Sequence, residues 1–154
     1  MSGGEALRLV EADSEAAACF DLMRQLRPHL ASPAEFVARW RRQREAGYRL
    51  LALWEGGRAA ALAGFRVQEN LVHGRFLYVD DLVTDESRRG QGCGAALLDR
   101  LKAEGRALGC ARLVLDTPMA NSLGHRFYFR HRLLAQALRF NAPLGGRRWA
   151  ACCT

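Results

Sequence analysis

The chain has 154 residues, 49% of them apolar and 25% charged, and a formal net charge of +7. A chain of about 150 residues buries roughly two-thirds of its unfolded surface, so one domain with a substantial core is expected over residues 1–154. No apolar run approaches the roughly 20 residues needed to span a bilayer, and Met1-Ser2-Gly3-Gly4-Glu5 has neither a basic start nor an apolar signal core, so a cytoplasmic location without membrane contact is expected.

The positive charge is carried by arginine, because Lys102 is the only lysine. A basic chain can serve nucleic acid, a membrane surface or an anionic cofactor; an arginine-favouring composition and an anionic cofactor are preferred to nucleic acid. Cys19, Cys93, Cys110, Cys152 and Cys153 are odd in number and contain no Cys-x-x-Cys spacing, and the four histidines form no cluster with them. Buried reduced thiols and no metal site are expected.

In chain order, Ala6 to Ala12 alternates as a first strand, and Asp13 or Ser14 can cap a helix that Pro28 stops. Ser32-Pro33-x-Glu35 opens a second helix, with proline in the first turn and a capping-box acid. Its arginines ring an exposed side beside Trp40; a solvated face is preferred to a nucleic-acid platform, which usually carries several exposed aromatics. Tyr48 to Trp54 and Arg58 to Val67 read as a hairpin turning at Glu55-Gly56-Gly57-Arg58. His73 to Val83 is a fourth strand, and a helix follows with Leu97, Leu98, Leu101 and Leu108 at helical spacing, ending at Gly109. Ala111 to Leu115 is a short apolar strand, Asn121 to Arg130 a helix, Leu133 to Phe140 a strand, and a last strand runs from the Pro143-x-Gly145-Gly146 turn to Ala151. The expected order is β-α-α-β-β-β-α-β-α-β-β: about seven strands and four helices in a mixed α/β sheet.

Between the fourth strand and its helix lies Arg89-Gly90-Gln91-Gly92-Cys93-Gly94. Glycines at alternate positions free the backbone of Cβ atoms, so several N–H groups can converge on one ligand. The helix adds the positive end of its dipole, and Arg88 and Arg89 add charge, which makes a phosphate cradle by composition. No Gly-Lys-Ser/Thr follows, so it is not a Walker loop, and it is not a clean dinucleotide fingerprint.

Arg89-x-x-Gly92-x-Gly94 after a strand and before a helix resembles the acyl-CoA pyrophosphate loop of the GNAT superfamily of N-acetyltransferases. A second block, Asn121-x-x-Gly124-x-x-Phe127-Tyr128, is similar to that family's Asn-x-x-Ala-x-x-Phe-Tyr. The resemblance covers about residues 76 to 133; elsewhere only the order of elements agrees. It implies acetyl-CoA as cosubstrate, a small-molecule amine as acceptor and a homodimer. Leu82, Val83 and Thr84 would offer main-chain groups to the pantetheine arm, and Arg89, Gly90, Gln91, Gly92, Cys93, Gly94 and Ala95 would hold the pyrophosphate. Asn121, with Gly124 in the same block, would bind pantetheine or order the cleft. After Phe127-Tyr128 the family usually has Gly-Phe, where this chain has Arg132-Leu133.

Acetyl transfer from a thioester to an amine needs positioned substrates, a base for an ammonium of pKa about 10, and an acid for the leaving thiolate. Tyr128 matches the family's tyrosine beside the sulfur and is the candidate general acid; a core aromatic beside Phe127 and Phe129 is the plainer reading. Asp80 and Asp81 are adjacent carboxylates on an apolar strand, so alternation sends them to opposite faces and one must be buried. Tyr-acid-Asp-Leu looks most like the polyamine (diamine) branch, where the first acid contacts the amine. On that match Asp80 is base or amine anchor, Asp81 lines the acceptor site, and the acceptor is a small cationic amine; simple ion pairs with arginine are the other reading. Cys93 invites a covalent mechanism, but no histidine is tied to it and packing is preferred. Two further readings remain: a protein or amino-acid amine as acceptor, or a non-catalytic CoA-binding module.

Overall fold

The computed structural model describes residues 6–146, which divide after Leu115 into two compact units. In the first unit one five-stranded sheet runs in the order β1-β2-β3-β4-β5. Its strands are β1 (Ala6–Leu9), β2 (Arg49–Glu55), β3 (Arg58–Asn70), β4 (Gly74–Thr84) and β5 (Arg112–Leu115). The first four pair antiparallel, and β5 adds parallel to β4. Helices α1 (Asp13–Ala18), α2 (Phe20–Leu26), α3 (Pro33–Glu45) and α4 (Cys93–Ala107) complete the unit. Among the described residues no helix is long and apolar enough to cross a membrane.

The sheet is buried on both faces, which is why β2 reads Leu50 to Trp54 without a polar residue. Leu50, Ala52 and Trp54 join Phe20, Met23, Phe36 and Trp40 beneath α1 to α3. Leu51 and Leu53 join Phe65, Leu77, Leu97 and Leu101 beneath α4. Trp40 is therefore core, and Arg39, Arg41 and Arg44 are tied to Glu35, Asp13 and the Glu11 carbonyl. The basic face of α3 presents no exposed aromatic on which a base could stack.

Several local expectations change. The first helix is two, divided at the fully buried Cys19, whose backbone sits at φ −85°, ψ −9°. Burial pushes the Cys19 thiol up to about 12, so it stays protonated. The α1 cap is Ala12, not Asp13 or Ser14; Glu15 reaches back to the N–H groups of Glu11 and Ala12 instead. Helix α3 starts as expected, with Ser32 Oγ accepting from the Glu35 N–H at 3.1 Å.

The second unit, from Asp116 onward, is built on α5 (Ser122–Arg130). Leu133–Phe140 is not a strand: a strand needs a neighbour for its N–H and C=O groups, and among the described residues none pairs with it. The end of the last expected strand, residues 147–151, lies outside the described residues. Arg132, standing where the family usually has glycine, closes α5 at φ 66°, the one positive φ at a non-glycine among the described residues. A left-handed backbone costs a Cβ-bearing residue about 1–2 kcal/mol. Arg132→Gly is thus expected to stabilise the chain by about 1 kcal/mol, raising the melting temperature by roughly 2–4 °C in a calorimetric scan. An unchanged or lower value contradicts the strain.

Candidate active site

Strand β4 sets the geometry of the first unit. Its register with β3 pairs Phe65 with Val79 and Gly64 with Asp81, leaving Asp80 as the extra residue of a bulge. The bulge resets alternation. Tyr78 and Asp80 before it share a face with Asp81 and Val83 after it, so the two carboxylates lie on the same face, not on opposite ones as strict alternation requires.

Both are partly buried, and both are paired. Asp81 accepts from Arg27 Nε at 2.9 Å and from the Tyr48 hydroxyl at 2.8 Å. Asp80 accepts from Arg66 Nε at 3.0 Å, and its carbonyl accepts from Arg27 Nη2 at 2.9 Å. Arg66 also donates to Gln43 Oε1 at 3.0 Å and lies over the Tyr48 ring. Burial, with Asp81 as a smaller contribution, raises the Asp80 carboxyl against the opposing pull of Arg66. The folded carboxyl therefore holds its proton more tightly than the unfolded one. Its stabilising effect is full below the usual aspartate range and is lost as pH rises through the raised value. Tyr48 is driven well above its ordinary value, first by burial and then by Asp81, so it remains a donor.

Gly64 makes this packing possible. A Cβ there would overlap the Tyr48 hydroxyl and ring edge and stand 2.6 Å from Asp81 Oδ2. Arg27, Tyr48, Gly64 and Arg66 were not singled out from the sequence. The available signal was a glycine within an apolar strand, which marks a bulge or a close backbone approach.

Beyond the bulge β4 runs on to Thr84, but its pairing with β5 ends at Val79 and Leu115. From Asp80 to Thr84 β4 thus has no partner strand on the β5 side within this unit, and of these main-chain groups the Asp80 carbonyl is taken by Arg27. Val83 is buried in the core under α1 to α3, and Leu82 packs partly against the core under α4. What Leu82, Val83 and Thr84 can offer a ligand is main chain.

The glycine loop follows a 3₁₀ turn at Glu86–Arg88, whose cap Asp85 accepts from the Ser87 N–H and hydroxyl, each at 3.0 Å. Gly90 and Gly92 hold φ of 78° and 85°, and Gly92 caps α4 without a side-chain acceptor. No acidic residue stands in the first turn of α4. The N–H groups of Cys93, Gly94 and Ala95 therefore meet no side-chain cap among the described residues, an arrangement that binds anions. Arg89 is exposed and makes no ion pair among the described residues. Arg88 does not share that role, because it pairs with Glu55 of the β2–β3 hairpin. The Cys93 side chain is buried against the core under α4, which agrees with packing.

In the second unit Asn121 is engaged locally. Its Oδ1 caps α5 through the Gly124 N–H at 3.1 Å, and its Nδ2 donates to Thr117 Oγ1 at 3.0 Å. Gly124 is needed because a Cβ would strike the Asn121 amide. Tyr128 packs edge-on against Phe127, with ring centroids 5.4 Å apart. Burial raises its hydroxyl, so it stays protonated at neutral pH.

Residues 15–132 match the acetyltransferase (GNAT) family. The chain belongs to that family. The uncharacterized N-acetyltransferase YhdJ of Bacillus subtilis (strain 168) is 33% identical over 81 residues, 53% of this chain and 57% of the relative, so the likeness spans little more than half of that protein. A Trypanosoma brucei acetyltransferase crystal structure superposes with a TM-score of 0.78 at 25% identity, covering 92% of this chain and all of the other. Glucosamine-6-phosphate N-acetyltransferase from Arabidopsis thaliana superposes at 0.74 with 20% identity, over 92% of this chain and 99% of its own, a likeness of fold. The mixed α/β sheet is thus the GNAT fold, with five strands and five α-helices among the described residues, against about seven and four expected.

Proposed function

We infer that this protein is an N-acetyltransferase that moves acetyl from acetyl-CoA to a primary amine by direct attack within a ternary complex. The observation that carries this reading is the uncapped, acid-free start of α4 behind Gly90 and Gly92, next along the chain to the β4 edge left unpaired from Asp80 to Thr84. The first suits a diphosphate, and the second suits the amide-bearing pantetheine arm, which can add to β4 as a strand would. Arg89, Gly90, Gln91, Gly92, Cys93, Gly94 and Ala95 hold the diphosphate, and Leu82, Val83 and Thr84 guide the arm. Asn121 and Gly124 shape the start of α5.

Asp80 removes the ammonium proton, directly or through a water, and its raised proton affinity fits that task. The amine attacks the thioester carbon, the C–S bond breaks, and Tyr128 gives its proton to the departing thiolate. The carboxylates that suggested a polyamine are each paired with an arginine, so they favour no polycation over other primary amines. The working location is the cytoplasm. The functional unit is a homodimer, a reading supported by the exposed Leu134, Leu138, Phe140 and Leu144 and tested by the mass in sedimentation equilibrium.

Thiol release from acetyl-CoA across an amine panel tests the chemistry. Tyr128→Phe should lower kcat by about 10²–10⁴-fold, the usual worth of a positioned acid. The acid limb of kcat/KM should lie above the ordinary aspartate range and vanish in Asp80→Asn. Full activity in Tyr128→Phe removes the general acid. Acetyl-CoA binding without turnover of any amine would leave a CoA-binding module.

A further inference from the structure

Among the four charged side chains at the β4 bulge, Asp81 has one oxygen on Arg27 and the other on Tyr48, which holds the bulge. The Asp80–Arg66 pair differs. Arg66 spends Nε on Asp80 Oδ2 and Nη2 on Gln43, which leaves Nη1 without an acceptor among the described residues. Asp80 spends Oδ2 on Arg66, and its Oδ1 has no donor among them. Their side chains are 23% and 22% exposed, so solvent reaches a carboxylate oxygen and a guanidinium nitrogen held by one ion pair.

The charges of Asp80, Asp81, Arg27 and Arg66 cancel. A purely cationic acceptor finds no uncompensated carboxylate there; to gain one it must displace Arg66 and leave a mostly buried guanidinium without its carboxylate, which is unfavourable. The net charge of +7 also opposes the approach of a polycation. An acceptor that carries its own anion meets neither obstacle. Its ammonium takes Asp80 Oδ1, its anion takes Arg66 Nη1, and the ion pair already in place stays intact.

We propose that Arg66 is a specificity-determining residue and that the acceptor is an amine bearing a carboxylate or phosphate a few bonds from its nitrogen, recognised jointly by Asp80 and Arg66. This rests on the acetyl-transfer reading, with Asp80 as the group that meets the amine. Arg66 touches the anion of the acceptor and, through its ion pair, also holds Asp80 in place.

The test pairs acceptors that differ only in the anion: alanine with alaninamide, and 2-aminoethyl phosphate with ethanolamine, with spermidine as the polycation. In thiol-release assays kcat/KM for the anionic member should exceed its neutral twin by at least about tenfold, the worth of one charge-assisted hydrogen bond. The two anionic arms decide between carboxylate and phosphate. Arg66→Gln should erase the preference: kcat/KM for the anionic member should fall at least about tenfold further than for its neutral twin, over whatever common loss the unpaired Asp80 brings to both; Arg66→Lys should restore part of the preference. Melting curves of both variants exclude a folding defect.

Saturation-transfer NMR of the same compounds in the presence of CoA supplies a readout without turnover. The preferred anionic amine should show transfer with the wild type and lose it in Arg66→Gln. Equal use of the neutral twins, preference for spermidine, an equal loss for all acceptors in Arg66→Gln, or no NMR transfer from either anionic amine overturns the assignment. Anion-selective NMR binding without any thiol release instead overturns the acetyl-transfer reading and keeps the anion site.

Discussion

Gly64→Ala is expected to destabilise the protein by about 3–4 kcal/mol or more, placing it among the most damaging single-methyl substitutions a core can suffer. The added Cβ overlaps the Tyr48 hydroxyl and ring edge and stands 2.6 Å from Asp81 Oδ2, so no small shift relieves it. Tyr48 is fixed by the core around it, and Asp81 by Arg27 as well as by Tyr48. The chain must therefore displace Tyr48 from its packing and break its hydrogen bond to Asp81 as well, each costing of order 1–3 kcal/mol. At roughly 2–4 °C per kcal/mol for this size, the melting temperature should fall by about 10 °C. Urea denaturation alongside Tyr48→Phe and the double variant separates the causes. Removing the hydroxyl abolishes one of the overlaps, so the double variant should lose less than the sum of the singles. Additive losses, or a Gly64→Ala protein that melts like the wild type, contradict the packing.

This close approach at Gly64 links fold to chemistry. Gly64 admits Tyr48, Tyr48 and Arg27 pin Asp81, and the pinned Asp81 fixes the bulge that turns Asp80 onto the same face. Asp80 stands where the β4–β5 ladder stops, so the bulge also marks the start of the open edge. A defect at Gly64 should therefore reach the base as well as the stability.

Much of this was legible in the residues alone. The glycine loop, the apolar run of β2 and the Ser32-Pro33-x-Glu35 start each follow from local rules about backbone freedom, burial and capping. What escaped was non-local. Asp80 and Asp81 were expected on opposite faces because alternation holds until a bulge breaks it, and register with β3 decides that. Arg27 and Arg66 lie 54 and 14 residues from the aspartates they meet, beyond any local pattern. Leu133–Phe140 has the apolar residues of a strand, yet pairing depends on a partner that a segment cannot announce. Arg132 is the reverse case: its departure from the family's glycine was visible, and the left-handed backbone at that position supplies the physical meaning.

Ala95→Asp should strengthen the fold and abolish cofactor binding together. Ala95 is the third residue of α4, after Gly92 at the cap and Cys93 and Gly94 in the first turn. Because that turn lacks an acid and a side-chain cap, a carboxylate there faces open N–H groups and the positive end of the dipole. Such a charge is typically worth about 0.3–1 kcal/mol, so the free protein should melt about 1–4 °C higher. The same carboxylate competes for the amides that would hold the diphosphate and repels its charge. Two unit charges about 4 Å apart near a protein surface interact by about 4 kcal/mol, so acetyl-CoA affinity should fall by at least roughly 100-fold. Calorimetric titration with acetyl-CoA reads the affinity, and the ligand-induced rise in melting temperature should disappear. Ala95→Asn separates charge from bulk, since it keeps the size and should lose much less affinity. A destabilised variant that still binds acetyl-CoA as tightly as the wild type would show that the diphosphate sits elsewhere. The combination of a more stable protein and a lost ligand is the outcome to expect only if the helix start itself is the anion site, because damage to the fold moves both measurements in the same direction.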